Sequence, residues 1–479
     1  MPKDLRTFID DVLREMPGSI KLVNEPVDPR FGITAVPARL AQQNEYPAVM
    51  YTQVKGSTLP SIINLTATYE RLALALGTTT REMVQVYGNR QGNPVEPVVL
   101  DHRDAPVQEV IWQGDQVDLR KLPISVHNER DSNPYITSGI LVTKDPDSGA
   151  LNAGLYRHEV QSKNELGVWF WDDHHGAYIQ RRYEELNQDM EVAIIIGHHP
   201  AFVMGCVSRL QGFGGEYGEA GALLQEPLEL VKGITVDLLV PARAELVIEG
   251  VIKPGKRRFE GPFAEWPGHY IAEGEKPYIE VQCITMRHDA IYYDVFACNR
   301  EHTVLGSLPR MGSIFRQVQR VVPGVKAVNV PSHSRMHCYV SISKRRDAEV
   351  KKAAFAALNT EPDNLKLVIV VDDDIDVFND GEVMWAVGTR FDATRDLVVI
   401  PDWSGPGGLL PGGWKFHEDG SKEPRMIGAM IIDATKPAPP VQYPVRAIVP
   451  KEAVEQVDLS AITDLNSLEQ VLGESRQAS

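Results

Sequence analysis

Residues 278–297 read YIEVQCITMRHDAIYYDVFA and carry a clear strand signal. Apolar and polar side chains alternate over residues 278–286, which is the period of a half-buried β-strand. The RHDA segment then predicts a turn into a second strand, IYYDVFA. Another β-like run, AELVIEGVI, lies upstream at residues 244–252. We therefore predict hairpins, and hence an antiparallel sheet or barrel, within residues 111–320, interrupted by one helix at roughly Ala177 to Met190.

The regions on either side of this strand-rich part have different patterns. Upstream, a helical period as in LTATYERLALALG (65–77) alternates with short strands. Downstream, KRRDAEVKKAAFAAL (344–358) predicts a helix and LKLVIVVDDDID (365–376) a buried strand, which is typical of a three-layer α/β unit. The chain of 479 residues is too long for one small core. We predict a mixed α/β and α+β protein with three domains, at residues 1–110, 111–320 and 321–479.

Composition limits the classes of function. The net charge of −16 argues against binding to nucleic acid or anionic lipid, since both attract positive surfaces. No apolar run is long enough to predict a transmembrane helix. Acidic residues interrupt the N-terminal MPKDLRTFIDDVLREM, so we expect no secretion signal. Four scattered cysteines predict reduced thiols and a cytoplasmic protein: Cys206, Cys283, Cys298 and Cys338.

Two acids stand beside a Gly-Pro turn in FEGPFAEWPGHY (259–270). Glu260 and Glu265 have two readings. Acids near turns are usually solvated. Carboxyls enclosed by the neighbouring aromatic side chains would instead lose hydration, and the pKa of such a group would rise toward that of a proton donor near neutral pH. Composition alone leaves the two readings about equal.

The segment LNAGLYRHEV (151–160) contains an arginine within a strand-like pattern. Arg157 is either an ordinary surface residue or a buried one, and a buried arginine needs a carboxylate partner such as Glu260. Asn152, five residues earlier, offers an amide oxygen that could bind a hard cation.

Two further segments suggest cation ligands. In WFWDDHHGA (169–177), His174 and His175 are candidate ligands, although a helix start capped by Asp173 explains the pattern equally well. The glycines of GFGGEYGEAGALL (212–224) fail the dinucleotide spacing, so the loop could instead bring Glu216 or Glu219 to a cation. Asparagine, histidine and glutamate ligands together favour Mn²⁺ or Mg²⁺ over Zn²⁺.

The acidic run VVDDDIDVFND (370–380) follows a predicted strand. Acids at the end of a strand can hold Mg²⁺. They are more often helix caps or solvated edges, and we favour that second interpretation.

In this order, these segments resemble the UbiD family of decarboxylases over about residues 100–435. The resemblance is closest to members acting on aromatic or hydroxyaromatic acids, and one departure is Ala264, where the family usually has glycine. The motifs that carry it are NAGLYR (152–157), HHGA (174–177), EYGEAGAL (216–223), EPLELVKGITVDLLVPARAELVIEG (226–250), EGPFAEWPGHY (260–270) and LKLVIVVDDDIDVFNDGEVMWAVGTR (365–390).

The resemblance implies a fold, a cofactor and partners. The central domain would be a split β-barrel like that of flavin reductases, flanked by the two α/β domains. The cofactor would be prenylated FMN, supplied by a separate flavin prenyltransferase, with Mn²⁺ or Mg²⁺ and K⁺ near its phosphate. The metal ligands would be Asn152, His175 and Glu216, with Lys366 as a phosphate partner. A homodimer or larger homo-oligomer would form through the C-terminal domain and its tail helix.

The resemblance also implies a reaction, the reversible non-oxidative decarboxylation of an aromatic, heteroaromatic or α,β-unsaturated acid through a covalent substrate–cofactor adduct. Glu265 would donate the proton, Arg157 would orient the substrate carboxylate, and Glu260 would hold Arg157. The ring would contact hydrophobic side chains, for which the candidates are Leu305, Leu409 and Leu410. Two alternatives remain: a hydrolase that uses the carboxylate pair, for example on glycosides, or a flavin-binding homologue without activity.

Overall fold

The computed structural model describes residues 2–172, 174–208, 214–362, 364–405 and 408–459. The chain divides into two compact units, Met1–Thr435 and Lys436–Ser479. The larger unit contains all of the sheets and the cavity described below. In the smaller unit, the described residues contain one short helix, Lys451–Glu455. Most of the predicted tail helix therefore lies outside the described residues, and its role in assembly stays a prediction.

The larger unit is built around an antiparallel sheet that curls into a half-barrel, which confirms the expected fold class. Its register shifts at Glu249/Gly250. A Cβ on Gly250 would lie 2.5 Å from the carbonyl oxygen of Glu280, so only glycine fits there. In spatial order the strands are Tyr135–Ile136, His158–Val160, Glu165–Val168, Tyr278–Met286, Leu246–Ile252, Met190–Ile196, Ile140–Lys144 and Leu151–Leu155, with Val110–Gln113 also paired to Tyr278–Met286.

The strand Tyr278–Met286 has the predicted alternation, because Ile279, Val281 and Cys283 are buried while Gln282 is exposed. The predicted hairpin after it is wrong. Residues Tyr292–Asp294 leave the half-barrel and pair in parallel with Ser61–Ile63 in a different sheet. The alternating pattern predicts a strand but says nothing about its partner.

Tyr292–Asp294 is the edge strand of a four-stranded sheet whose other three strands come from the N-terminal part of the chain. The buried apolar residues of the helices in the first ninety residues belong to the same hydrophobic cores as those of this sheet. The strands in spatial order are Ile20–Val23, Ala48–Tyr51, Ser61–Ile63 and Tyr292–Asp294. The helices are Leu5–Glu15, Gly32–Ala41, Tyr69–Ala75 and Met83–Arg90.

The C-terminal part is a sheet between two helical layers, as expected from its sequence. Alternate residues of its strand Leu367–Asp372 face opposite layers: Val368 packs toward the helix Ala348–Thr360, and Ile369 toward Asp380–Arg390. The strands in spatial order are Val325–Asn329, His337–Ile342, Leu367–Asp372, Ile427–Ala434 and Leu397–Ser404. The long helix Arg300–Val321 follows the strand Tyr292–Asp294 along the chain and leads into this part.

The remaining elements are short. The helix expected at roughly Ala177 to Met190 spans His175–Glu185, and Met190 instead begins a strand. The other α-helices are Pro200–Cys206 and Glu216–Leu224. The small sheets are Leu239–Pro241 with Glu229–Lys232 and Val98–Val99, Arg258–Glu260 with Gly274–Lys276, and Trp414–Phe416 with Lys422–Pro424. Short 3₁₀ turns span His102–Asp104, Pro106–Gln108, Gly114–Gln116, Leu119–Lys121 and Pro411–Gly413.

Throughout the described ranges, no helix combines the length and apolar character that crossing a membrane requires. All four cysteines are free thiols. The division into three domains at the predicted boundaries stays a prediction.

Candidate active site

A cavity of about 700 Å³ lies where the half-barrel meets the helix Arg300–Val321 and the C-terminal sheet. Its wall combines charged, aromatic and aliphatic side chains. The predicted site residues on this wall are Asn152, Arg157, His175, Glu216, Glu265, Leu305, Leu409 and Leu410.

Arg157 forms the centre of a buried ion-pair cluster. It lies in the short connection between the strands Leu151–Leu155 and His158–Val160. Its Nε donates to Oε1 of Glu260 at 3.0 Å, and its Nη2 donates to the second oxygen of Glu260 and to the carbonyl of Ala272. Its Nη1 donates to Glu265. The sequence reading that pairs a buried Arg157 with Glu260 therefore agrees with the geometry.

The two glutamates reach Arg157 because the chain turns sharply between them. Glu260 ends the strand Arg258–Glu260. Gly261 follows with φ +99°, and a Cβ there would lie 2.8 Å from the Cβ of Glu273, so this position needs glycine. The turn is anchored by the Ala264 N–H, which donates to Asp131 at 2.8 Å. The methyl group of Ala264 is accommodated in this buried position.

Only one carboxylate of the pair faces the cavity. Glu265 lines it, whereas Glu260 is fully buried behind Arg157 and does not. Burial raises the pKa of Glu260 although Arg157 opposes the shift. Burial lowers the pKa of Arg157, but the charges of Glu265 and Glu260 outweigh this effect and raise it above its ordinary value. The cluster of one cation and two acids can therefore hold a proton in a nearly dry place.

Aromatic rings shield the guanidinium of Arg157. Its Cζ lies 4.6 Å from the ring centroid of Trp169 and 5.1 Å from that of Phe263. Trp266, one of the aromatic side chains that follow the acid pair in sequence, also lines the cavity. Tyr270 does not, since its hydroxyl instead accepts a hydrogen bond from the Arg130 N–H at 3.0 Å.

The three predicted metal ligands all line the cavity, and two of them, Asn152 and Glu216, are in direct contact. His175 and Glu216 are the first residues of their helices, and Asn152 lies in the strand Leu151–Leu155. Asn152 Nδ2 donates to Glu216 Oε1 at 3.1 Å, while Asn152 Oδ1 is buried and has no hydrogen-bond partner among the described residues. Burial raises the pKa of Glu216 to about 7. A buried amide oxygen beside a carboxyl group whose pKa is raised by burial fits a hard divalent ion.

The structure also shows where the other residues considered in the sequence as ligands, caps or phosphate partners lie. Glu219 faces away from the cavity and accepts the Gly92 N–H at 3.0 Å. The cap position before the helix His175–Glu185 is His174, without a side-chain capping bond, and Asp173 lies outside the described residues. Lys366 does not line the cavity, and its Nζ lies close to Gly412.

The acidic run at residues 370–380 makes ion pairs within the C-terminal part. Arg390 Nη1 lies 2.9 Å from Oδ2 of Asp372, and Nη2 lies 2.8 Å from Oδ2 of Asp374. Asn379, not an aspartate, caps the helix Asp380–Arg390. Among the residues that the structure describes, no group of three or more His, Cys, Asp or Glu side chains is arranged to hold a metal.

Family models match three consecutive parts of the chain. The 3-octaprenyl-4-hydroxybenzoate carboxy-lyase N-terminal domain matches residues 13–91, the Rift-related domain 98–300 and the C-terminal domain 303–407. The anhydromevalonate phosphate decarboxylase of Methanothermobacter thermautotrophicus is 31% identical over 399 residues, which are 83% of this chain and 90% of that protein. The chain belongs to the UbiD family. UbiD proteins are carboxy-lyases, so this chain is a decarboxylase.

Solved UbiD structures share the architecture. The UbiD-class enzyme HmfF from Pelotomaculum thermopropionicum, in complex with FMN, has a TM-score of 0.87 and 34% identity, covering 95% of this chain and 99% of that one. An evolved dimeric form of the same enzyme in complex with prFMN has a TM-score of 0.84 and 32% identity, covering 96% and 99%.

Several residues on the cavity wall of this UbiD protein were not predicted from its sequence. Trp169 was not predicted as a site residue, although a tryptophan close to acidic residues and to a predicted buried arginine is a signal for cation–π packing. Arg310 and Arg335, which also line the cavity, carry no recognisable motif. The interior glycine at Gly306 was an available signal, because glycine weakens a helix unless something packs closely against it.

Proposed function

We propose that this protein catalyses the reversible, non-oxidative decarboxylation of an aromatic, heteroaromatic or α,β-unsaturated carboxylic acid, with prenylated FMN as its cofactor. The observation that carries the proposal is the placement of Arg157 between Glu260 and Glu265 on the wall of a large cavity. Complexes of the relative HmfF with FMN and with prFMN support the flavin.

Asn152, His175 and Glu216 would hold a divalent cation, Mn²⁺ or Mg²⁺, beside the phosphate of the flavin, with K⁺ nearby. The buried Asn152 Oδ1 and the raised pKa of Glu216 both support this assignment, because a cation would satisfy the first and ionise the second. When bound, the modified flavin would supply the electron sink that side chains cannot provide for decarboxylation at an sp² carbon. Whether Lys366 contributes to phosphate binding stays a prediction.

Glu265 is the proposed proton donor to the carbon that loses CO₂. It is the carboxyl of the pair that touches the cavity. Its hydrogen bond to Arg157 fixes its position without filling both of its oxygens. Arg157 would orient the substrate carboxylate through the second N–H of Nη1, the one that does not donate to Glu265.

Glu260 acts through Arg157 and is a positioning residue. Its two oxygens accept from Nε and Nη2, which fixes the plane of the guanidinium. This separation of roles also argues against a carboxylate-pair hydrolase, because such an enzyme needs both carboxyls facing one cleft and Glu260 does not reach it. The family matches favour the decarboxylase in the same way.

The aliphatic wall formed by Leu305, Leu409 and Leu410, together with Trp266, would accept a flat ring. A flavin prenyltransferase would supply the cofactor, and the protein would assemble as a homodimer or larger homo-oligomer.

Co-expression with a flavin prenyltransferase tests the function. We expect a protein that absorbs in the near-UV and visible range and releases CO₂ from at least one aryl or enoic acid in a broad panel. A fully loaded protein that releases no CO₂ from any of them would overturn the proposal. The same protein prepared without the prenyltransferase is the control and should be inactive.

A further inference from the structure

Arg335 is a buried guanidinium on the cavity wall that lacks an acidic partner. It lies in the loop between the strands Val325–Asn329 and His337–Ile342, and only 7% of it is exposed. Its Nε donates to the carbonyl of Thr303 at 3.3 Å. Within the described ranges, its Nη1 and Nη2 have neither a hydrogen bond nor an ion pair, which is costly for a charge in this environment unless a ligand supplies the partner.

The surroundings of Arg335 are shaped to hold it at the cavity. The guanidinium packs against the helix Arg300–Val321 at Gly306, where a Cβ would lie 2.4 Å from Nη2 and 2.5 Å from Cζ. On another side its Cζ lies 5.3 Å from the ring centroid of Trp266. Any side chain at Gly306 would displace the guanidinium, so this contact depends on the glycine.

The groups around Arg335 compensate its charge only in part. Burial lowers the pKa of Arg335 well below its ordinary value, Arg310 adds to the effect, and the charge of Glu265 only partly offsets it. Arg310 is itself paired with Glu361, with Nε 3.2 Å from Oε2. Burial and Arg335 also lower the pKa of His302, which lines the cavity, so this imidazole adds no second positive charge beside Arg335 and offers it no anionic partner.

Arg157 and Arg335 therefore differ in what they can offer a carboxylate. Four N–H groups of Arg157 already donate to Glu260, Glu265 and Ala272, and the two acids neutralise its charge. Arg335 presents two uncommitted terminal nitrogens in the planar arrangement that binds a carboxylate bidentately. Strong pairing would stabilise a carboxylate that must leave as CO₂ more in the ground state than in the transition state, which slows the reaction. Arg335 thus suits an acidic group that stays on the substrate.

We propose that Arg335 binds a second carboxylate of the substrate, so that the preferred substrate is a ring bearing two carboxyl groups, of which one is lost. This inference rests on the proposed function for its chemistry. Its test is a binding preference that can be measured whether or not turnover occurs.

The experiment compares ligands of equal shape and different charge. Benzene-1,3- and benzene-1,4-dicarboxylate are each paired with the corresponding mono-amide, and their binding to the full chain loaded with unmodified FMN is measured by calorimetry. Unmodified FMN prevents turnover from interfering. Because a charge-assisted bidentate pair contributes roughly 1.5–3 kcal/mol, we expect at least one diacid to bind about 10- to 100-fold more tightly than its mono-amide.

Three variants locate the preference. Arg335→Met should abolish it while leaving the affinity for the mono-amide within about threefold, and Gly306→Ala should reduce it by displacing the guanidinium. Arg320→Met removes an exposed arginine from the helix that contains Gly306, and it should leave the binding preference unchanged.

Equal losses of affinity for diacid and mono-amide in Arg335→Met would assign Arg335 to the departing carboxylate and overturn the proposal. So would equal binding of each pair to the unaltered protein. Failure to release CO₂ in the reconstitution experiment, with the diacid preference intact, would overturn only the proposed function.

Discussion

Two buried guanidiniums in this molecule each lie between two carboxylates and beside a tryptophan, and only one of them lines a cavity. Arg157 pairs with Glu260 and Glu265 at 4.6 Å from the ring of Trp169. Arg390 pairs with Asp372 and Asp374 at 5.3 Å from the ring of Trp385. The combination of an arginine, two carboxylates and a tryptophan therefore occurs twice, and only the cluster around Arg157 reaches the cavity.

The difference lies in what surrounds each cluster. None of the three residues of the Arg390 cluster lines the cavity, and the side chain of Asp374 is 34% exposed, so water can stabilise its charge. The Arg157 cluster is dry and shares its wall with Asn152, whose Oδ1 has no hydrogen-bond partner among the described residues, and with Glu216, whose pKa is raised by burial. A guanidinium between two acids becomes a functional candidate through access to an enclosed space.

The strongest test of this comparison removes one acid from each cluster. Glu265→Gln should keep cofactor binding and lower CO₂ release by about 10²- to 10⁴-fold, the usual contribution of a general acid. Asp374→Asn, the matched change in the other cluster, should leave the rate unaltered. Near-normal turnover in the Glu265 variant would remove this residue from the role of proton donor.

Removing each arginine separates stability from activity. Arg157→Met should lower the free energy of unfolding by about 3–5 kcal/mol, because it leaves two buried carboxylates without a cation, and should also stop turnover. Arg390→Met should cost less, since Asp374 can be solvated, and should slow turnover only through loss of folded protein. Urea unfolding of both cofactor-free variants, with rates normalised to folded protein, checks the contrast. Equal stability of the Arg157 variant and the unaltered protein would contradict it.

The pH dependence of stability tests the protonation of Glu216, a predicted metal ligand on the cavity wall. Burial raises the pKa of Glu216 from 4.5 to about 7, so the cation-free folded protein keeps a proton that the unfolded chain releases within this window. The free energy of unfolding should therefore fall as pH rises from 4.5 to 7, by about 3 kcal/mol for this group.

Glu216→Gln should remove that fall, and saturating Mn²⁺ should flatten it in the unaltered protein. Unfolding measured at pH 5 and pH 8 gives the comparison. A pH profile unchanged by the substitution would show that Glu216 is already satisfied in the cation-free protein.

The smallest expected effect concerns the turn that carries Glu265. Ala264 is 2% exposed and its φ is negative, so its methyl group fits without backbone strain. Ala264→Gly should lower the free energy of unfolding by about 0.5–1 kcal/mol through the greater freedom of the unfolded chain, with turnover nearly unchanged. A large loss of turnover would show that the methyl group helps to position Glu265.

The sequence alone predicts local structure and the core of the site well. Alternation in residues 278–286 and the change of period after residue 321 are local signals, and the structure follows both. The positions of Arg157, Glu260 and Glu265 follow from family motifs, and the structure brings the three together.

What could not be predicted depends on contacts between distant segments. The strand Tyr292–Asp294 follows a turn signal, yet its partner was set by packing that no local pattern reports. Arg335 stands alone in PSHSRMHCY, and its burial becomes visible only when Gly306 and Trp266 are placed beside it.

The crossing of Tyr292–Asp294 into the N-terminal sheet has a consequence for biosynthesis. The strand Ser61–Ile63 acquires its outer neighbour only after roughly 230 further residues have been made, which takes about 10 to 50 seconds at ordinary translation rates. Throughout that interval one edge of the nascent sheet has unpaired backbone groups. The growing polypeptide must be kept from pairing with other chains at this edge until the ribosome has passed the middle of the message.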